Sequence, residues 1–387
     1  MKKFNLLGIK KLIYFTIIIP NCMKKYLYIF SAAFLLLLTT TFTAIGQNID
    51  YAKVEATINN LVAKNKFSGV VLIAEKGKIK YEKANGYIEY VNQTPLQSST
   101  IFELASVSKQ FTAMTIMMLH EKGLLQYDEL VEKYINIPYK GITIRQLLTH
   151  TSGLPDYQAI MDEHWDKSKV ANNTDIIAYL NRYAPPSLFE PGSQYLYSNT
   201  GFVILASITE KLSGRDFIEF CNMEIFNKLK MKSTGIRTLE EKAAIANFAL
   251  GHVFVPERNA YIRADSFPSS NYTIWLGNRK GPGRISSTVE DLLKWDQALY
   301  TSKLIQPSTL AEAFNPMKLS TGKISNYGFG WELRPQENIV WHNGDNPGYK
   351  TIIIRFLENR ATLIILCNNA TDEFENLTAD LKKIILD

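Results

Sequence analysis

The stretch ELASVSKQFTAMTIMML, residues 103–119, decides how the rest of the chain is read. It reads as a helix beginning near Ala105, and it places Ser106 and Lys109 in the first turn. A helix N-terminus carries partial positive charge, so stability alone favours Asp or Glu there over a lysine. Positions three apart share a helix face, so the Lys109 amine can reach the Ser106 hydroxyl. Unpaired backbone N–H groups at the same helix start suit a developing oxyanion. The helix field and burial would both lower the lysine pKa, and a neutral lysine can act as a base. The plainer reading is a Ser106 N-cap followed by a solvated Lys109. A second Ser-x-x-Lys match, Ser320 and Lys323, lies in a polar, glycine-containing loop and lacks this helical setting.

Partners for Ser106 and Lys109 are sought further along the chain. Tyr-x-Asn recurs, for example at Tyr90/Asn92 and Tyr134/Asn136. Tyr197/Asn199 follows a Pro-Gly turn in EPGSQYLYSNTGFVILASITEKLSG, residues 190–214, and precedes a helix ending at Gly214. Asn199 as a helix cap and Tyr197 as a buried aromatic are the structural alternatives. His-x-Gly occurs once, as His342-Asn343-Gly344 in VWHNGDNPGYKTIIIRF, residues 340–356. It lies between an apolar run and the strongest strand of the C-terminal half, where an ordinary strand-end histidine is the competing reading.

The surrounding pattern sets the architecture. Tyr51, Val54, Ile58, Leu61 and Val62 make an amphipathic helix with Asp50 as its N-cap. Val70 to Ile73 is a buried strand, Lys76-Gly77 a turn, and Ile79 and Tyr81 mark a second strand. YKTIIIRFL and ATLIILCNN flank a turn at Glu358-Asn359-Arg360, and residues 372–386 form a closing helix striped with Phe374, Leu377, Leu381 and Ile384. Residues 106–267 are mostly helical with long loops. Isolated hairpins are marginal, so both ends are expected to join one antiparallel sheet. The fold class expected is α+β: an antiparallel sheet flanked by N- and C-terminal helices, plus a mainly helical lobe. The sheet lobe takes about 47–105 and 268–387, the helical lobe about 106–267, with a cleft where they meet.

With 387 residues, 46% of them apolar, the chain can bury a large core as one domain or two lobes. The formal charge of +6 resides in six lysines within residues 1–46, which hold no acidic residue. The remainder is neutral, which argues against nucleic-acid binding. MKKYLYIFSAAFLLLLTTTFTAIGQ, from Met23, has the layout of a secretory signal peptide with cleavage expected after Gly46. Translation starting at Met23, an uncleaved anchor and lipidation at Cys22 are the other readings of residues 1–46. The protein is thus expected outside the cytoplasm, periplasmic or secreted, with membrane contact only through this segment. Cys221 and Cys367 are expected as buried thiols. No spacing suggests a metal site or phosphate loop, so no cofactor is expected.

The order Ser-x-x-Lys, Tyr-x-Asn, His-x-Gly resembles the serine hydrolases of the β-lactamase and penicillin-binding-protein fold. The similarity is greatest to the class C β-lactamase-related branch, with its esterases, D-aminopeptidases and D-alanyl-D-alanine carboxypeptidases. It extends from about Asp50 to the end and includes IRQLLTHTSGLPDY (144–157), LKMKSTGI (229–236), GPGRISSTVEDLLKW (281–295) and YGFGWEL (327–333). The resemblance implies that residues 47–387 are a catalytic domain with Ser106 as nucleophile and Lys109 as its proton partner. It implies Tyr197 as general base, its phenol pKa lowered by neighbouring cations, and Asn199 as a positioning amide. His342 and Gly344 fall in the third motif, and the oxyanion would meet the backbone N–H groups of Ser106 and Asp345. The implied substrate is a small-molecule or peptide acyl compound, peptidoglycan among the candidates. Many relatives carry Lys-Thr-Gly where this chain has His-Asn-Gly. A histidine supplies a cation only in part near neutral pH, which argues against efficient β-lactam hydrolysis. A non-catalytic envelope protein is the alternative from another class.

Overall fold

Asp50 starts the described fold by accepting a hydrogen bond from the Lys53 amide at 3.0 Å. Helix α1 (Tyr51–Ala63) follows and buries Val54, Ile58 and Leu61 on one stripe. The computed structural model describes residues 49–387. The expected leader, with Met23, Cys22 and the cleavage after Gly46, lies outside the described residues.

Strands β1 (Gly69–Glu75) and β2 (Lys78–Asn85) are joined by Lys76-Gly77, both at positive φ. Further on come β3 (Glu332–Arg334), β4 (Ile339–Asn346), β5 (Tyr349–Phe356) and β6 (Ala361–Cys367). The six form one sheet in the order β3-β4-β5-β6-β1-β2, all pairs antiparallel. The two ends of the chain meet where β1 pairs with β6, Val70 opposite Leu366 and Ile73 opposite Leu363.

Side chains alternate across the sheet, and both faces are covered. Val71, Ile73, Ile352, Ile354, Leu363 and Ile365 pack against α1 and the C-terminal helix α5 (Phe374–Leu386). Val70, Leu72, Ile353, Ile364 and Leu366 face the helical body. This two-sided burial is why these strands read as continuous apolar runs. At the centre of the body lies α2 (Lys109–Glu121), with every residue from Lys109 to Leu119 buried. Helix α3 (Asn199–Ser213) packs against it and ends at Gly214, whose φ is +67°. Helix α4 (Val289–Ala298) packs on β1 and β6.

Two features depart from the sequence reading. The helix expected from Ala105 opens as a 3₁₀ turn, Ala105–Ser108, and α-helical geometry begins at Lys109. The middle of the chain also contains strands: Gly235–Ile236 and Phe102–Glu103 flank Ile285–Ser287, and His252–Val255 pairs with Ala260–Arg263. Strands of two to four residues are too short to show a period.

Helix α4 is tied to the sheet by a buried ion pair. Arg355 Nε on β5 donates to Asp296 Oδ1 at 2.6 Å, and Thr362 Oγ1 on β6 donates to Oδ2 at 2.7 Å. Both charged partners are fully buried. Removing one of them strands the other without compensation. Asp296→Ala is therefore expected to lower the unfolding free energy by about 3–5 kcal/mol, read from urea denaturation; a loss below about 1 kcal/mol would contradict this role.

Candidate active site

Three backbone pieces converge on Ser106. The first is its own turn. Ala105 sits at φ +48°, a strained conformation for a residue with a Cβ. Its neighbours are fixed on both sides: Leu104 N–H donates to Ile285 O at 2.8 Å, Thr351 Oγ1 donates to Leu104 O at 2.8 Å, and Ile285 N–H donates to Ser108 Oγ at 3.2 Å. The second piece is β4. It passes so close that a Cβ on Gly344 would stand 2.2 Å from Leu104 O, so the glycine of His-x-Gly is a steric requirement. The third is the loop Gly281-Pro282-Gly283-Arg284. Thr112 Oγ1 on α2 donates to Gly281 O at 2.7 Å, and a Cβ on Gly281 would stand 2.1 Å from Phe202 O on α3.

These pieces surround the Lys109 amine. Its Nζ lies 2.9 Å from each of Ser106 Oγ, Asn199 Oδ1 and the Pro282 carbonyl oxygen. Nζ also stands 4.7 Å from the centre of the Tyr197 ring and 5.5 Å from that of Phe202. Burial holds the Lys109 pKa well below the ordinary lysine value, and the nearby Arg279 cation pushes the same way. A neutral amine has two N–H groups and one lone pair. The Asn199 and Pro282 oxygens can only accept, so they take both hydrogens, and the lone pair is left for the Ser106 O–H. Asn199 is the first residue of α3 and spends its side chain on Lys109, so it does not cap the helix.

Tyr197 is half-buried beside this centre, with its ring centre 4.7 Å from Lys109 Nζ. The expectation that cations lower its phenol pKa is not met. Burial is the largest influence and pushes the pKa up, against a smaller lowering from the Ser106 contact. The resting phenol is neutral and a hydrogen-bond donor. His150 braces this segment: Ser198 N–H donates to His150 Nδ1 at 3.0 Å, and the imidazole lies 4.2 Å from the Tyr197 ring.

His342 is buried on β4. Its Nδ1 lies 2.6 Å from Asn343 O, which can only accept, so Nδ1 carries the proton. Nε2 then accepts from the Tyr327 hydroxyl at 2.8 Å. Burial is the largest influence and pushes the His342 pKa down to about 3. The partial cation expected of this histidine is therefore absent at neutral pH. Asp345 stands at the end of the strand with its side chain exposed and paired to Lys350 at 3.2 Å.

The structure thus gathers Ser106, Lys109, Tyr197, Asn199, His342 and Gly344 around one centre. Sequence reasoning missed Pro282, Tyr327 and His150. Pro282 acts through a main-chain carbonyl, which no residue type signals. Tyr327 and His150 lie inside the stretches YGFGWEL and IRQLLTHTSGLPDY, where nothing marked either aromatic side chain as a partner of the site.

Comparison with known proteins agrees with this geometry. The family model described as Beta-lactamase matches residues 54–386. Penicillin-binding protein 4* of Bacillus subtilis (strain 168) is 40% identical over 328 residues, covering 83% of this chain and 72% of the relative. A D-aminopeptidase of Brucella anthropi is 25% identical over 83% of this chain and 60% of its own length. Among solved structures, the octameric penicillin-binding protein homologue from Pyrococcus abyssi superimposes with a TM-score of 0.73 at 26% identity, covering 85% of this chain and 76% of the other. A family match of this extent, joined to a 40% identical relative, establishes that the chain belongs to the β-lactamase family, among hydrolases of the β-lactamase and penicillin-binding-protein type.

Proposed function

We propose that the protein is a serine hydrolase that forms an acyl-enzyme on Ser106 and cleaves an ester, or an amide of a small or D-configured residue. The observation that carries this reading is the buried Lys109 amine, 2.9 Å from Ser106 Oγ with its lone pair free for the hydroxyl proton. In the acylation step Lys109 Nζ takes the proton from Ser106 Oγ as Oγ bonds to the substrate carbonyl carbon. Charge passes to the carbonyl oxygen, opposite backbone N–H groups of the Ser106 turn and the end of β4. Collapse of the tetrahedral species breaks the bond to the leaving group, which receives a proton from the neutral Tyr197 phenol. The ammonium of Lys109 returns its proton to Tyr197. Water then attacks the acyl-enzyme with the same base, releasing the acid and free Ser106.

The relatives' names support the substrate class. One is a penicillin-binding protein and another a D-aminopeptidase, so cell-wall peptides and D-amino-acid amides are the first candidates, encountered outside the cytoplasm if the leader is used. A β-lactam would acylate Ser106 on the same geometry. Rapid β-lactamase turnover is less well supported, because His342 is neutral and offers the β-lactam carboxylate no charge.

Three outcomes are expected. A fluorophosphonate probe should add to Ser106 in the wild type, seen by peptide mass spectrometry, and Ser106→Ala should take up none. Equal turnover of a 4-nitrophenyl ester by wild type and Ser106→Ala would refute the reading. The second concerns pH. The base works only when neutral, so kcat/KM is retained above the depressed Lys109 pKa and lost as pH falls through it. A profile that keeps rising up to the ordinary lysine pKa of about 10.4 would contradict a depressed Lys109. Lys109→Ala should lower kcat/KM by roughly 10²–10⁴-fold.

A further inference from the structure

Arg279 and Lys280 are adjacent cations in one locked segment, and they face different surroundings. The helix Asn173–Tyr183 fixes the segment: Lys280 N–H donates to Asn173 Oδ1 at 2.7 Å, and Asn173 Nδ2 donates to Lys280 O at 3.1 Å. Arg279 N–H donates to Leu276 O at 3.2 Å. The Lys280 amine turns to α3 and is engaged by two carboxylates, Glu210 at 2.8 Å and Asp216. Arg279 is only 8% exposed, and its Nε has no hydrogen-bond partner. The buried carboxylate nearest that side, Glu103, is engaged by the Lys242 amine, with Arg284 at 3.8 Å. A buried cation without a counterion of its own is costly.

The Arg279 guanidinium lies against the loop that holds Lys109. A Cβ on Gly283 would stand 3.8 Å from Arg279 Nη2 and 3.7 Å from the carbonyl oxygen of Ala105, the residue before Ser106. The preceding residue, Pro282, places its carbonyl oxygen 2.9 Å from Lys109 Nζ. One peptide unit, Pro282-Gly283, therefore connects the guanidinium to the amine. The guanidinium also stands 5.8 Å from the centre of the Tyr272 ring. Tyr272 and Tyr157, the phenols that face it, are both kept neutral by burial.

The oxygens touching Lys109 Nζ belong to a hydroxyl, an amide and a peptide, none of them charged. Burial keeps the Tyr197 and Tyr327 phenols and the His150 and His342 imidazoles uncharged at neutral pH. Among the described residues, the charged groups that act on Lys109 are Arg279 and Asp156, of opposite sign. Asp156 is exposed, caps the helix Tyr157–His164 through Gln158 N–H at 2.8 Å, and is screened by water. Arg279 is buried, and its field is screened much less. A guanidinium keeps its proton inside a protein, whereas an amine can release it. Where two buried cations would repel, the lysine is the one that becomes neutral. We infer that Arg279 is a positioning residue for the reaction: a permanently charged group behind the Pro282-Gly283 peptide that keeps Lys109 in its proton-accepting form.

This role presupposes the acyl-transfer reading, and two readouts keep them apart. The first is kcat/KM for a 4-nitrophenyl ester against pH, on the full chain. Removing a like charge raises the Lys109 pKa, so Arg279→Gln is expected to move the acidic limb up by about one pH unit or more. At a pH below both limbs its kcat/KM should then be about tenfold lower than that of wild type. Well above them it should recover to within about threefold, because the base itself is intact. Arg279→Lys keeps a cation and should leave the limb nearer its wild-type position. Lys280→Gln removes a cation that is already paired and should move the limb far less. Where Gln at this buried position impairs folding, seen in the thermal midpoint, Arg279→Met fills the space without charge and reads the same limb. A loss by one factor at every pH, or a limb moved equally by Arg279→Gln and Lys280→Gln, overturns the inference. The second readout is the Lys109 midpoint from its ¹³Cε resonance, which should rise in Arg279→Gln. Should wild type hydrolyse no ester while that midpoint rises, the acyl-transfer reading falls and the coupling to Arg279 stands. Should esters be turned over while the midpoint stays, the coupling falls and the acyl-transfer reading stands.

Discussion

The chemistry of this protein depends on one buried amine. Lys109 Nζ has three oxygen neighbours at 2.9 Å, and two of them cannot donate. That asymmetry gives the neutral amine a direction: hydrogens toward Asn199 and Pro282, lone pair toward Ser106. Water would erase it, by protonating the amine and by offering other partners. Much of the surrounding fold serves to exclude water. Helix α2 is buried from Lys109 to Leu119, the Tyr197 and Phe202 rings lie over the amine, and the loop at 281–284 is threaded between α2 and α3 with no room for a Cβ on Gly281. Burial of a lysine is unfavourable unless the group is neutral or paired, and that pressure suits Lys109 to the base role proposed for it.

The third motif follows from the same dryness. A lysine on β4 would bring a cation into the same dry site beside the neutral Lys109 amine. The histidine instead forms a neutral relay, with Tyr327 O–H donating to Nε2 and Nδ1–H donating to Asn343 O. This keeps the strand edge in place without charge.

The sequence carried the parts of this site that depend on local spacing. Ser106 and Lys109 are three apart on one helical face, and Asn199 follows a Pro-Gly turn at the start of an apolar helix. His342-Asn343-Gly344 precedes a strong strand. The terminal hairpins and helices were legible because their apolar stripes have clear periods, as in Phe374, Leu377, Leu381 and Ile384. Contributions made through the backbone or through burial left no such trace. The Pro282 carbonyl has no residue signature. The strain at Ala105 comes from packing between β4 and Ile285. The Tyr197 phenol was expected to titrate low because cations are near. Burial instead pushes it up, and the extent of burial is a property of the packed site that spacing does not express.

The protonation state of Lys109 can be measured directly. Protein labelled with ¹³C at lysine Cε, with the Lys109 resonance assigned by its loss in Lys109→Ala, can be titrated by NMR across neutral and alkaline pH. The account predicts a Lys109 midpoint far below the roughly 10.4 of an ordinary lysine, so that the amine is neutral where the enzyme works. A Lys109 resonance that titrates with the surface lysines would show an ammonium beside Ser106 and would contradict the account.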